Sequence, residues 1–115
     1  VPRAPGMLAA HYAPRTPLQL VPGSGLAAAI GRHRATGDRV AVLAFGGDPG
    51  LPGVDWAQAP ADATGYAHDL YASLRALDAR GAAVILVEQP PQAFAWLAVL
   101  DRLGRAEAGS LPASP

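Results

Sequence analysis

Two short apolar segments constrain the fold of this chain more than any other feature. Residues 39–45 read Arg-Val-Ala-Val-Leu-Ala-Phe, and residues 82–87 read Ala-Ala-Val-Ile-Leu-Val. Neither segment alternates apolar with polar residues, which is the pattern of a strand covered on both faces and is typical of parallel sheets. A third strand is predicted at Leu18–Val21, before Pro22, and a short edge strand at 54–57.

Three segments with helical character separate and follow these strands. Residues 25–35 come directly after Ser24, which is a suitable N-cap, and residues 64–79 place their apolar side chains at steps of three and four. A third helix is predicted at 92–107. Its large apolar residues recur at steps of three, at Phe94, Leu97, Leu100 and Leu103. Buried strands that alternate with helices predict an α/β layer sandwich with a mostly parallel sheet.

The composition excludes several functional classes. The chain has 115 residues, its formal net charge is +0 and 50% of its residues are hydrophobic, so we expect one domain that lacks a basic surface for direct nucleic-acid binding. The 13 glycines and 12 prolines then belong to loops and ends, with a domain at 17–107 between a linker (1–16) and a flexible tail (108–115).

The longest apolar stretch, 94–100, is too short to cross a membrane, and no signal-peptide pattern is present. The absence of cysteine excludes disulfides and thiolate sites and favours a cytoplasmic location.

A glycine motif is the strongest general indication of a ligand site. Residues 23–28 read Gly-Ser-Gly-Leu-Ala-Ala, a G-x-G-x-x-A sequence between a predicted strand and a predicted helix. Glycines there let the backbone approach a phosphate, and the helix N-terminus offers N–H donors. Asp48 lies where a ribose-binding acid occurs in dinucleotide folds. Two interpretations stay open: a nucleotide site at Gly23, Ser24, Gly25 and Asp48 in an autonomous nucleotide-binding or hydrolytic module, or a tight structural turn.

No catalytic set emerges from the polar residues. His11, His33 and His68 lack the spacing of a metal-binding pair, and no serine stands in a nucleophile elbow. We therefore predict no catalytic residue, metal site or cofactor within this chain. The acidic residues of the helices, Asp78 among them, are expected to form salt bridges with arginines or to lie on solvated faces. Glu88 follows a buried strand and is expected at the carboxyl edge of the sheet, where parallel α/β folds bind ligands.

Residues 1–16 are unlike the rest of the chain. They contain three prolines and no sustained periodicity, which predicts an extended linker. Met7, His11 and Tyr12 are large side chains to leave in solvent, so the linker is expected to lie on a protein surface. The chain begins at Val1 and its only methionine is Met7, and we therefore expect a piece of a longer polypeptide.

Two stretches resemble a known family. Residues 4–14 read Ala-Pro-Gly-Met-Leu-Ala-Ala-His-Tyr-Ala-Pro. They resemble the interdomain linker of the two-domain threonylcarbamoyl-AMP synthases, which reads Ser/Ala-Pro-Gly-Met, three variable residues and His-Tyr-Ala-Pro. A second set is similar to the C-terminal domain of that family in order and spacing. It consists of Leu70-Tyr71, Leu74-Arg75, Leu77-Asp78, Gly81, residues 85–88, Pro90-Pro91, Asp101-Arg102-Leu103 and Arg105-Ala106. The resemblance covers residues 4–108.

This resemblance implies both a fold and a role. It implies a small Rossmann-like three-layer domain that serves as the accessory C-terminal domain of the synthase. In the family, an N-terminal YrdC-like domain makes threonylcarbamoyl-AMP from threonine, bicarbonate and ATP with Mg²⁺, and a partner transferase then uses the product to modify tRNA. The linker lies across the catalytic cleft of that N-terminal domain. By resemblance, the lid residues are Pro5, Gly6, Met7, His11, Tyr12, Ala13 and Pro14.

Overall fold

The computed structural model describes residues 12–110, which form a four-stranded sheet with helices on both faces. The strands are β1 (Leu18–Val21), β2 (Val40–Ala44), β3 (Val54–Gln58) and β4 (Val84–Glu88). The helices are α1 (Gly23–Ala35), α2 (Ala63–Asp78) and α3 (Leu97–Gly109), and a 3₁₀ turn at Phe94–Trp96 leads into α3. No helix among the described residues has the length and apolar character that crossing a bilayer requires.

All neighbouring strands are parallel, in the order β1-β4-β2-β3. The core has two layers: α1 packs on one face of the sheet, and α2 and α3 pack on the other. This confirms the predicted α/β fold, a small Rossmann-like three-layer sandwich with a parallel sheet. β2 is buried throughout and β4 is buried up to its last residue, as their uninterrupted apolar sequences predicted. β3 lies at the edge, which was also predicted.

The connection from β2 to β3 contains no helix. Residues 45–53 join these two parallel strands as a loop, where such a crossover usually carries a helix. Within residues 12–110, α1 is therefore the one helix on its face of the sheet. That face is incompletely covered above β3, where Val54 and Trp56 are only partly buried. The missing helix leaves room for a groove beside α1.

The glycine motif lies inside α1 rather than in a loop before it. α1 begins at Gly23, two residues earlier than predicted, and its N-cap is Pro22. The prediction of Ser24 as N-cap was wrong, since no side chain caps this helix. Pro22 has a φ of −57° and a ψ of 145°, the extended geometry usual for an N-cap residue, and its carbonyl accepts the Gly25 N–H at 2.8 Å.

The buried side of α3 differs from the steps of three seen in the sequence. Phe94 and Leu97 are 89% and 56% exposed, whereas the buried residues are Trp96, Val99, Leu103 and Ala106. Each step of three residues falls about 60° short of a full helical turn, so three such steps carry the chain to the opposite side of the helix. α3 also continues through Gly109, so the predicted tail from residue 108 was wrong at its first two residues.

Candidate functional site

The end of the predicted linker is bound to the C-terminal end of α2. Asp78, the last residue of α2, accepts hydrogen bonds at Oδ1 from the backbone N–H of Thr16 (2.9 Å) and from its hydroxyl (2.7 Å). Oδ2 accepts from the Arg15 N–H (3.1 Å) and from the Tyr12 hydroxyl (3.3 Å). One segment of the chain thus uses both carboxylate oxygens. We call residues 12–16 together with Asp78 the linker anchor.

The electrostatics of Asp78 explain why it needs these donors. A carboxylate is unfavourable in the last turn of a helix, because the helix C-terminus carries a partial negative charge. Partial burial by itself would raise the pKa of Asp78, but hydrogen bonds from Thr16, Arg15 and Tyr12 outweigh it and hold the pKa below its usual value. Burial, followed by the charge of Asp78, raises the pKa of the Tyr12 hydroxyl. Within residues 12–110 no arginine side chain forms a salt bridge with Asp78, whose partners are the hydroxyl and backbone donors of residues 12–16.

Apolar contacts complete the linker anchor. The Tyr12 ring meets the Tyr71 ring edge to face, with 6.0 Å between the centroids and 79° between the planes. Pro14 is fully buried, and Ala13 lies so close to the end of α3 that a Cβ at Gly109 would be 2.9 Å from it. Residues 12–16 therefore lie on this domain and pack as part of it.

The predicted lid residues divide into two groups. Tyr12, Ala13 and Pro14 contact this domain, as described above. Pro5, Gly6, Met7 and His11 lie outside the described residues. Contact of either group with a catalytic cleft stays a prediction.

A groove of about 440 Å³ lies between α1 and the loop of residues 45–53, reaching the carboxyl ends of β2 and β4. We call it the α1 groove. Its apolar walls include Leu26, Ile30, Leu51 and Trp56. The Trp56 Nε1–H donates to the Gly46 carbonyl at 2.9 Å, which fixes the loop against the edge strand β3. Small residues of α1, at positions 23, 27 and 31, keep the helix side of the groove open.

Glu88 is the acidic residue of the α1 groove and lies at the carboxyl edge, as its sequence position indicated. Its Oε1 accepts the Phe45 N–H at 3.1 Å, which ties the loop after β2 to β4. Its Oε2 lies against Gly23, where a Cβ would be 2.8 Å away. Oε2 receives no hydrogen bond from the described residues. The N-terminus of α1, which carries partial positive charge, lies near this carboxylate.

A buried aromatic cluster lies on the opposite face of the sheet from the α1 groove. The rings of Phe45, Tyr66 and Trp96 contact one another with centroids 5.4 to 5.7 Å apart. The Tyr66 hydroxyl is buried and has no hydrogen-bond partner within residues 12–110. Burial, with a smaller contribution from the charge of Glu88, raises the pKa of Tyr66 far above its ordinary value. This tyrosine is therefore a neutral part of the core.

The residues predicted for a nucleotide site do not converge. Gly23 borders the α1 groove, whereas Ser24 and Gly25 do not line it. The Asp48 carboxylate accepts the Gly50 N–H at 2.8 Å within its own exposed loop. The carboxylate of Glu88 lies against Gly23, where a phosphate would have to approach. A nucleotide site at these residues stays a prediction. The negative charge of Glu88 would repel a phosphate group that approached Gly23.

The described residues contain no group of three or more side chains suited to a metal ion. His33 lies 3.8 Å from Asp38, and the exposed His68 lies 2.9 Å from Asp69, so these two histidines have separate carboxylate neighbours. His11 is outside the described residues.

The amino-acid sequence matches a known family over nearly the whole chain. Residues 1–108 match the family model described as threonylcarbamoyl-AMP synthase, C-terminal domain. The chain is 32% identical over 113 residues to the threonylcarbamoyl-AMP synthase of Bacillus subtilis (strain 168), an alignment that covers 94% of this chain and 33% of that protein. The chain thus spans about one third of the length of this curated relative.

Solved structures share the fold. P. abyssi Sua5 complexed with L-threonine aligns with a TM-score of 0.66 at 25% identity, over 87% of this chain and 31% of that one. A P. abyssi Sua5 variant with a histidine and the following tyrosine both changed to alanine gives 0.68 at 22% identity, over 89% and 31%. The C-terminal Sua5 domain of a hypothetical Sua5 protein from Pyrococcus horikoshii gives 0.61 at 22% identity, over 80% of this chain and 93% of that domain. With the family model matching nearly its whole length, this chain belongs to the family of threonylcarbamoyl-AMP synthase C-terminal domains.

Proposed function

We propose that this chain is the accessory C-terminal domain of a threonylcarbamoyl-AMP synthase and holds the linker, residues 1–16, over the catalytic cleft of an N-terminal YrdC-like domain. That domain binds ATP and Mg²⁺ and makes threonylcarbamoyl-AMP from threonine and bicarbonate by nucleotidyl transfer. A partner transferase then uses the product to modify tRNA in the cytoplasm. The family match supports this role because it includes the linker together with the domain.

The linker anchor is the observation that carries the proposal. Four hydrogen bonds to Asp78 and the buried Pro14 give the linker a fixed point of departure from this domain. Met7 lies five residues before Tyr12. At about 3.6 Å per extended residue, it stays within roughly 18 Å of the anchor. A tether this short keeps the lid residues at high effective concentration beside the neighbouring domain.

The chemistry of the linker suits a cover over a reactive intermediate. Prolines restrict the unbound linker, so it loses less conformational entropy when it docks. Met7 supplies an apolar surface, and His11 supplies hydrogen bonds. Closing such a cover excludes water from the carbamate-bearing intermediate and so limits its hydrolysis.

A full-length synthase that contains this domain tests the proposal. His11→Ala is expected to lower threonine- and bicarbonate-dependent pyrophosphate release about ten- to a hundred-fold. The melting temperature of this domain should stay the same, because His11 precedes the linker anchor. His68→Ala, on the exposed surface of α2, is the matched control and should leave turnover unchanged. Equal turnover in both variants would contradict the role of the linker as a lid.

Asp78→Asn tests the anchor itself in the same enzyme. The amide keeps the shape of the side chain but offers one acceptor where the carboxylate offers two, so the end of the linker is released. We expect turnover to fall while the melting transition of the N-terminal domain stays the same. Full turnover from a variant whose linker is demonstrably released would show that the anchor does not position the lid.

A further inference from the structure

We propose that the α1 groove binds a 6-aminopurine ring, with the amino edge of the ring facing Glu88. The linker anchor takes no part in this site, and the inference does not depend on the proposed lid. Several hydrogen-bonding groups at the carboxyl edge of the sheet have no partner among the residues that the structure describes.

The groove has the dimensions and surface of a ring-binding site. Its volume of about 440 Å³ falls within the range of small-molecule pockets, about 300–1,000 Å³. Leu26, Ile30 and Trp56 give it apolar walls. Ala27 and Gly31 present almost no side chain on the helix side, so a flat ring can lie close to α1.

Gly46, Gly47 and Glu88 all line this groove. Oε2 of Glu88 accepts no hydrogen bond from the described residues, and the N–H groups of Gly46 and Gly47 donate none to them. β2 and β4 are neighbours in the sheet, and the Phe45 N–H reaches Oε1 of Glu88 at 3.1 Å. The carboxylate is thus bound to the residue that directly precedes Gly46 and Gly47.

A 6-aminopurine presents the complementary pair of atoms. Its exocyclic amino group donates, which suits Oε2 of Glu88, and the adjacent ring N1 accepts, which suits an N–H of Gly46 or Gly47. Inosine has the opposite pattern, because its N1 donates and its O6 accepts. It would therefore place an acceptor against the Glu88 carboxylate and a donor against the glycine N–H groups. A phosphate is disfavoured beside Gly23, because Glu88 already places negative charge there. Beside Glu88 the groove therefore suits the base rather than a phosphate, and Arg34, which also lines the groove, donates its Nε–H to the Pro52 carbonyl at 3.1 Å.

The test is a titration of this chain with adenosine, inosine and cytidine, followed by NMR of the backbone amides. Adenosine is expected to shift the amide signals of Gly46 and Gly47, and inosine to bind at least about tenfold more weakly. Cytidine carries the same donor and acceptor on a smaller ring, so weaker binding than adenosine is expected. No shift with millimolar adenosine, equal binding of inosine, or tighter binding of cytidine would overturn the assignment.

Substitutions in the groove separate recognition from folding. Glu88→Gln can still accept the Phe45 N–H while turning an NH₂ donor toward the groove, so the preference should move from adenosine toward inosine. Ala27→Leu fills the groove and is expected to abolish adenosine binding. Ala28→Leu, exposed on the same helix and outside the groove, is the matched control and should bind as the wild type does. If Glu88→Gln fails to fold, the comparison of the two leucine variants still decides, and equal binding by both would contradict the site.

Discussion

The two edges of this sheet use a carboxylate in opposite ways. At the amino edge, both oxygens of Asp78 accept hydrogen bonds from residues 12–16. At the carboxyl edge, one oxygen of Glu88 holds the loop at Phe45, and the other faces the α1 groove without a donor from the described residues. A carboxylate whose acceptor capacity is used by its own chain fixes structure, whereas one with a free oxygen is available for recognition.

Helix polarity accounts for part of this difference. Asp78 lies at the negative end of α2, so its charge is tolerated only with hydrogen-bond donors around it. Glu88 lies near the positive end of α1, where the helix polarity is opposite to that around Asp78. Removing the Asp78 carboxylate should therefore destabilise the domain. Altering Glu88 should change ligand binding in the α1 groove with little effect on stability.

The largest loss of stability is expected for Asp78→Ala. It removes the acceptor of four hydrogen bonds and should lower the free energy of unfolding by about 2–3 kcal/mol, or the melting temperature by roughly 10–20 °C. Thermal denaturation followed by circular dichroism measures the change. Asp69→Ala, an exposed carboxylate on the same helix, is the control and should change stability by less than about 0.5 kcal/mol. If Asp78→Ala and Asp69→Ala lowered the stability equally, Asp78 would have no special structural role at the amino edge.

A smaller loss is expected for Tyr12→Ala, which removes both the ring contact with Tyr71 and the hydrogen bond to Asp78. We expect a decrease of about 1–2 kcal/mol in the free energy of unfolding. Tyr12→Phe keeps the ring and loses only the hydroxyl, so its decrease should be about 0.5 kcal/mol. Urea denaturation of both variants separates the two contributions. A Tyr12→Ala variant as stable as the wild type would show that Tyr12 is not part of the domain.

The linker anchor should also depend on pH at both extremes. The pKa of Asp78 is lower in the folded protein than in the unfolded chain, so its stabilisation is full above the ordinary value of 3.8 and is lost as the pH falls through the folded pKa. The pKa of Tyr12 is raised, so its contribution is complete below the ordinary value of 10.0 and is lost as the pH rises through the folded pKa. NMR signals of Thr16 and Tyr12 should report these transitions. A midpoint for Thr16 above 3.8 would contradict the sign for Asp78.

The smallest effect on stability is expected for Glu88→Gln. The amide oxygen can still accept the Phe45 N–H, so the free energy of unfolding should change by less than about 0.5 kcal/mol. The same change at the other edge, Asp78→Asn, should cost about 1–2 kcal/mol, because it turns an NH₂ group toward hydrogen-bond donors. This isosteric pair gives the sharpest comparison of the two edges by thermal denaturation. A Glu88→Gln variant as unstable as Asp78→Asn would show that Glu88, like Asp78, has a structural role.

The sequence predicts features of this fold that depend on neighbouring residues. β2 and β4 could be identified because both faces of each strand are covered, which leaves an uninterrupted apolar sequence. The same local logic placed Glu88 at the carboxyl edge. It failed for α3, where the steps of three suggested by Phe94 and Leu97 do not follow one side of a helix.

The candidate sites depend on contacts that no local pattern encodes. The linker anchor joins residues 62 to 66 positions apart, and its donors include backbone N–H groups that every residue type except proline carries. The α1 groove exists because residues 45–53 form no helix, and its volume depends on how that loop lies beside α1. The glycine motif marked one side of this groove, at Gly23, without indicating that Glu88 would face it.

Hydrogen exchange at Arg15 and Thr16 tests the central claim most directly, that Asp78 makes the end of the linker part of this domain. Their amide N–H groups donate to Asp78 at 3.1 and 2.9 Å. In this chain both amides should be protected, and Asp78→Asn should lower their protection about tenfold or more while amides of β2 and β4 stay protected. Exchange of both amides at the unprotected rate in the wild type, or equal protection in the variant, would contradict the account.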